Sequence, residues 1–82
     1  MITVDYINQG NKDYLGAEIS INDQIICLIG ISDELTLFIE FFHEIRILKM
    51  KDKPSVDLNN FLEIIKECEC ELNDVIKLLK EE

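Results

Sequence analysis

Glycine, histidine and basic residues are scarce in this chain of 82 residues, and their scarcity excludes several kinds of site. The three glycines stand apart in the sequence and match neither a P-loop nor a dinucleotide-binding fingerprint. The single histidine, His43, has Glu-x-x-His spacing with Glu40, but a di-iron or di-manganese site needs two such motifs. Only eight basic residues stand against 17 acidic ones, and an acidic surface repels phosphates. Direct binding of DNA or RNA is therefore not expected.

Long hydrophobic runs are missing as well. The longest uncharged apolar run, residues 25–31, is far shorter than the roughly 20 residues that a membrane span needs. The chain opens MITVDY, without the basic region and apolar stretch of a secretory signal. We therefore expect a cytoplasmic protein that does not contact a membrane.

The three cysteines form no recognisable framework. Their number is odd, so we expect reduced thiols rather than disulfides. Cys68 and Cys70, two positions apart, would point to different sides of a helix and could not bind one metal ion together. On this pattern Cys68 is predicted to be a core residue and Cys70 a thiol on the solvent side.

The length and composition predict one globular domain over residues 1–82. A chain of this size buries only about 60% of its unfolded surface on folding, which leaves little room for an enclosed active site. With 48% apolar and 30% charged residues, the composition is typical of a folded protein. Because no catalytic or cofactor motif is present, we expect neither enzymatic activity nor a cofactor nor a bound metal.

Residues 1–31 are predicted to be rich in β-strand. Apolar and polar residues alternate over residues 2–6 and again over residues 15–21, the pattern of strands with one buried face. Asn22-Asp23 then suits the positive φ angles of a tight hairpin, which predicts antiparallel pairing with residues 24–31. This third strand is apolar on both faces, with Ile25 on the side of Cys27. Either another element covers its second face or another molecule does.

Residues 57–80 are predicted to form an amphipathic helix. Apolar residues recur there at spacings of three and four over about six turns. Pro54 precedes the segment, and Ser55 or Asp57 could cap its first amides. We expect the apolar stripe to pack on the sheet.

Residues 33–50 fit two structures. Ser32 or Asp33 could cap a helix, whereas the alternation and the β-branched and aromatic content favour a strand. Length favours the helix, because strands typically have only about 5 to 6 residues. We therefore predict an α+β fold with a small antiparallel sheet of three strands followed by two helices, βββαα. The open alternative is a four- or five-stranded meander with one C-terminal helix.

A column of carboxylates on the C-terminal helix is the first predicted partner-binding surface. Residues 57–82 carry eight acids and three bases, a net charge of −5. Four of these acids follow one another at spacings of four, four and three: Glu63, Glu67, Glu71 and Asp74. Like charges at such spacings cost about 0.2 to 0.5 kcal/mol per pair. The column is either a functional surface or a solvated face that Lys66, Lys77 and Lys80 partly neutralise.

The second predicted surface is the part of the cluster Phe38, Phe41 and Phe42 that a three-stranded sheet leaves uncovered, with Phe38 and Phe42 as its predicted contact residues. A helix would bury Phe38, Phe42 and Ile45 together, whereas a strand would place Phe38 and Phe42 opposite Ile39 and Phe41. Any part of this cluster that remains exposed and rimmed by charge would be typical of an interface.

These properties together predict a small non-enzymatic binding protein that neutralises a basic protein partner. In profile, though in no motif, the chain resembles bacterial immunity proteins and antitoxins that block nuclease toxins. One alternative is a phage-encoded inhibitor whose carboxylates mimic DNA phosphates and occupy a host defence nuclease. Another is a structural or adaptor subunit that forms a homodimer through the phenylalanine-rich segment.

Overall fold

The computed structural model describes residues 1–9, 14–41 and 55–81, which form four strands and one helix. The elements are β1 (Ile2–Asn8), β2 (Leu15–Ile21), β3 (Gln24–Ile31), β4 (Leu37–Phe41) and α1 (Leu58–Lys80). Each strand pairs antiparallel with its neighbour in sequence, so the sheet order is β1-β2-β3-β4. The α+β class and the antiparallel N-terminal strands are confirmed. Among the described residues no helix is long and apolar enough to cross a membrane.

The turn between β2 and β3 is the tight hairpin that the sequence predicts. Asn22 and Asp23 have φ angles of 50° and 68°, which these residue types tolerate better than most. Two bonds fix the start of β1 to this turn: the Met1 ammonium donates to Asn22 Oδ1 (2.8 Å), and the Asn22 amide donates to the Met1 carbonyl (3.0 Å).

The predicted helix over residues 33–50 is wrong for residues 37–41, which form β4. Ser32 closes a turn with Thr36 instead of capping a helix: its amide donates to the Thr36 carbonyl (2.8 Å), and its hydroxyl accepts from the Thr36 amide (3.1 Å). Leu35 within this turn has a φ of 61°, which a helix does not allow. The meander with one C-terminal helix therefore fits the described residues. Residues 42–50, the rest of the predicted segment, lie outside them.

The helix α1 packs on one face of the sheet and forms the core with it. Eight buried residues contribute: Ala17, Ile19, Cys27, Ile29, Ile31, Cys68, Leu72 and Ile76. The three helical members recur every fourth residue, so the predicted apolar stripe does pack on the sheet. The predicted start of the helix is also confirmed, because the Asp57 side chain accepts a hydrogen bond from the Asn60 amide (2.9 Å).

An irregularity in β3 changes which isoleucine enters the core. Ile19 pairs with Cys27 and Ser20 pairs with Ile25, which leaves Ile26 as an extra residue in the ladder. Ile26 packs against the core, whereas Ile25 is exposed. The prediction that Ile25 shares the core face of Cys27 is therefore wrong, because strict alternation does not hold across a bulge.

The face of the sheet opposite α1 is crossed by the side chain of Gln9. The β2–β3 ladder ends at Ile29. At Ile31 the side-chain amide of Gln9 takes the place of a β2 residue as hydrogen-bond partner: it accepts from the Ile31 N–H (2.8 Å) and donates to the Ile31 carbonyl (3.4 Å). Gly30 makes room for this crossing: a Cβ there would lie 2.9 Å from Gln9 Nε2 and 2.6 Å from the Phe38 ring. Gln9 thus connects β1 to β3 over the intervening strand.

Replacing Gln9 with alanine is expected to lower the free energy of unfolding by about 1–3 kcal/mol, because the polar backbone groups of buried Ile31 lose their partner. Urea denaturation followed by circular dichroism measures the change. Gln24→Ala is the matched control, since within the described part of the chain the Gln24 side chain bonds only the adjacent Ile25 carbonyl, at 3.4 Å in an exposed position. Equal losses in the two variants would show that the Gln9 bridge contributes nothing specific.

Candidate protein-binding site

The acidic column, Glu63, Glu67, Glu71 and Asp74, is exposed along α1. On the same helix Cys68 and Leu72 are buried against the sheet. An α-helix turns about 100° per residue, so Glu63, Glu67 and Asp74 lie on the side of α1 that faces away from the core, whereas Glu71 lies on the flank of the helix. All four carboxylates are accessible to a partner, as the sequence predicts.

Two members of the acidic column also line a groove where β1 approaches α1. The groove has a volume of about 490 Å³ and is lined by Tyr6, Lys66, Glu67, Cys70 and Glu71. We call it the Tyr6 groove. Glu63 and Asp74 do not line it, so the column divides into two groove carboxylates and two that stand outside. Among the described lining residues Lys66 is the only basic one, and two carboxylates outweigh it.

The Tyr6 side chain forms the sheet side of this groove. Tyr6 pairs with Ala17, a core residue, and therefore projects on the α1 side of the sheet while remaining 44% exposed at the sheet edge. Desolvation, a hydrogen bond to the Cys68 side chain, and the charges of Glu71 and Glu67 raise the pKa of Tyr6 from 10.0 to about 12. At physiological pH the groove thus combines an aromatic hydroxyl with two carboxylates, a combination that favours a cation.

Cys68 is buried and Cys70 is exposed, as the sequence predicts. Cys27 and Cys68 are buried, and burial raises the pKa of both thiols. Cys70 is exposed and lines the Tyr6 groove. Within residues 1–9, 14–41 and 55–81, no three His, Cys, Asp or Glu side chains form a group that could hold a metal ion. His43 lies outside these ranges.

The Tyr6 phenol is expected to titrate with a pKa of about 12 in the folded chain. The double variant Glu67→Gln with Glu71→Gln should lower the Tyr6 pKa only part of the way towards 10, because desolvation, the largest cause of the shift, remains. Ultraviolet absorbance measured against pH in a Tyr14→Phe background reports on Tyr6 alone.

The paired control for this titration is Glu63→Gln with Asp74→Asn, which leaves the groove carboxylates in place and should not move the Tyr6 pKa. Since the folded pKa exceeds the unfolded value of 10.0, the stabilisation by the Tyr6 proton is complete below pH 10 and is lost as the pH rises towards 12. A pKa of 10 in a chain that circular dichroism shows to be folded would contradict the described groove.

The phenylalanine-rich surface lies elsewhere. Phe38 pairs with Gly30 and covers it, so its ring lies on the sheet face opposite α1, where it is 36% exposed. The structure therefore does not bring Phe38 together with the acidic column. Phe42 is outside the described residues. The alternation expected of a strand does hold here, with Ile39 and Phe41 on the α1 side.

Ile39 was not predicted as a site residue, whereas Phe41 belongs to the phenylalanine cluster of the second predicted surface; the two side chains are 46% and 58% exposed on β4. Ile39 also lines a cleft of about 240 Å³ between β4 and α1, whose lining includes Phe38, Ile65 and Glu69. Among the described strands β4 lies at an edge of the sheet, which accounts for this exposure, and a strand order would have been needed to predict it. The same applies to Tyr6 at the opposite edge.

The described residues thus offer two exposed surfaces, one acidic beside β1 and one apolar beside β4. The acidic surface holds the predicted column and a groove that favours a cation, whereas the apolar surface holds Ile39 and Phe41. Comparison with known proteins assigns a function to neither surface, because no protein-family model, curated protein or solved structure matches this chain.

Proposed function

We propose that this chain is a small acidic non-enzymatic inhibitor that binds a basic nuclease-type toxin and covers its active surface, as immunity proteins and antitoxins do. The observation that carries the proposal is the convergence of Glu67, Glu71 and the Tyr6 ring in one groove beside an exposed acidic column. A nuclease has a positive cleft for its substrate, and carboxylates placed on one face of a helix can fill such a cleft.

The net charge of −9 supports the kinetic side of the proposal. Complementary charge accelerates encounter with a basic partner, and fast capture is what a protein that neutralises a toxin requires. In this proposal the protein acts in the cytoplasm and binds no nucleic acid itself.

Capture from the native host tests the proposal. The immobilised chain is expected to retain a basic protein at low salt, and the purified complex should show less nuclease activity than the partner alone. Recovery of a neutral partner, or of a basic partner that keeps its full activity in the complex, would refute the proposal.

The exposed column also supports a second candidate, a phage-encoded mimic of DNA that occupies a host defence nuclease. Its carboxylates lie in a row along one helix, as phosphates lie along a strand. A mimic would bind several unrelated basic nucleases with similar affinity, whereas an inhibitor of the immunity type would bind one cognate partner far more tightly. Affinities measured against a panel of such nucleases separate the two.

Exposure of Ile39 and Phe41 supports the third candidate, a structural or adaptor subunit that dimerises through the β4 edge. Light scattering after size-exclusion chromatography should then give a salt-insensitive dimer that Phe41→Ser converts to a monomer. A wild-type monomer at both low and high salt removes this candidate.

A further inference from the structure

The strand β1 lies at one edge of the sheet. It pairs with β2 on one side, and no described residue pairs with its other side. An edge strand leaves a row of backbone N–H and C=O groups unpaired, and such a row can accept a further strand. With seven residues, β1 is long enough for an added strand to form several hydrogen bonds.

Two hydrogen bonds establish which residues of β1 present these groups. The Asn22 amide donates to the Met1 carbonyl, and the Gln9 amide donates to the Tyr14 carbonyl, both at 3.0 Å. The register between these bonds is continuous. Because the bonding direction alternates along an antiparallel strand, odd-numbered residues face β2 and even-numbered ones face outwards. The outward residues are Ile2, Val4, Tyr6 and Asn8.

Tyr6 consequently has two roles at this edge. Its backbone N–H and C=O point away from β2, while its side chain forms one wall of the Tyr6 groove. A residue that paired with Tyr6 from outside would project its own side chain on the same face, with the two Cβ atoms about 4.5–5.5 Å apart. That side chain would enter the space in front of Glu67 and Glu71.

We propose that β1 accepts an extended segment of the basic partner as an additional antiparallel strand, with an arginine opposite Tyr6 in the groove. The inference rests on the proposed function for the basic character of the partner, and it adds how the partner is held. The guanidinium would stack on the Tyr6 ring and bond the carboxylates of Glu67 and Glu71, while the backbone groups of Val4 and Tyr6 extend the sheet.

A peptide probe tests this inference with the full chain. The probe is a short capped peptide of alternating threonine and valine with one central arginine, titrated to millimolar concentration into the ¹⁵N-labelled protein. Binding is expected to shift the amide resonances of Val4 and Tyr6. A peptide with glutamine in place of arginine should bind roughly tenfold more weakly or worse, because it lacks the charge.

Two N-methylated peptides supply the matched comparison. One carries the methyl groups on the arginine amide and on the amides two residues away, which would face β1; the other carries them on the amides in between, which would face solvent. The first should lose roughly tenfold or more in affinity, and the second should bind like the unmodified peptide. Both modifications stiffen the peptide alike, so the difference reports strand pairing.

The possible results are separable. Two results would overturn strand addition at β1. One is equal affinity of the two N-methylated peptides, and the other is that the arginine peptide binds no more tightly than the glutamine peptide. Neither result would touch the proposed function, which fails only if the captured partner is neutral or keeps its activity. Arginine-dependent binding that disappears in Glu67→Gln with Glu71→Gln, in a chain whose amide spectrum remains folded, would place the arginine in the groove.

Discussion

Changing Leu72 to alanine is expected to lower the free energy of unfolding by about 2–5 kcal/mol. Leu72 is fully buried at the middle of the stripe by which α1 packs on the sheet. The substitution removes buried methyl groups and leaves a cavity that the surrounding side chains fill only in part. A domain of this size has little stability to lose, so the variant should unfold at a much lower urea concentration.

Leu78→Ala is the matched control, because it makes the same chemical change in the same helix at a residue that is 64% exposed. Its effect should stay within about 0.5 kcal/mol, so the difference between the variants isolates burial from helix propensity. Urea denaturation of both variants provides the measurement. Similar losses at the two positions would contradict the packing of α1 on the sheet.

Changing Glu67, Glu71 and Asp74 to lysine is expected to slow capture of the basic partner by roughly 10- to 1000-fold at low salt, the range that electrostatic steering spans. All three side chains are exposed, so the domain should still fold. Each substitution replaces one negative charge with one positive charge, so the three together bring the net charge from −9 to −3. Association rates measured by surface plasmon resonance at several ionic strengths should show the loss, and it should shrink as salt rises.

A second triple variant distinguishes the effect of the acidic column on capture from the effect of net charge. Glu18, Glu34 and Glu40 changed to lysine give the same net charge of −3 and leave α1 intact. Glu18 and Glu40 both pair with Leu28 and so lie on the face opposite α1. This variant should bind faster than the first. If both variants slowed capture equally, the column would be no more than a solvated face.

Much of the fold follows from periodicity. Alternation predicts β1, β2 and most of β3, and spacings of three and four predict α1 to within one residue at its start. These segments could be predicted because each has one buried face and because Asn22-Asp23 provides a turn that local chemistry favours. In these segments the local conformational preference of the residues agrees with their packing in the folded chain.

The strand β4 could not be predicted in the same way. The turn before it depends on Leu35 at a positive φ, a conformation that leucine rarely adopts. The residues of this turn include no glycine, proline or asparagine from which the turn could have been predicted. Without a visible turn, residues 33–50 appear as one long apolar segment, and length then favours a helix. The bulge that turns Ile26 towards the core likewise has no recognisable signal in the sequence.

Half of the candidate site could be predicted. Spacing alone indicates that the four column carboxylates share one helix face, and all four are exposed. The Tyr6 groove depends on which strand occupies the sheet edge, and this is a property of strand order that no local pattern encodes. The separation of Phe38 from the column likewise required the position of α1 relative to the sheet.

Titration of the captured nuclease with the chain tests the central claim most directly, namely that the groove carboxylates and the acidic column inhibit a basic nuclease. We predict that nuclease activity falls to baseline at one equivalent of the wild-type chain and that the Glu67, Glu71 and Asp74 lysine variant fails to inhibit at that ratio. Full activity at saturating wild-type chain, or equal inhibition by the lysine variant, would contradict the account.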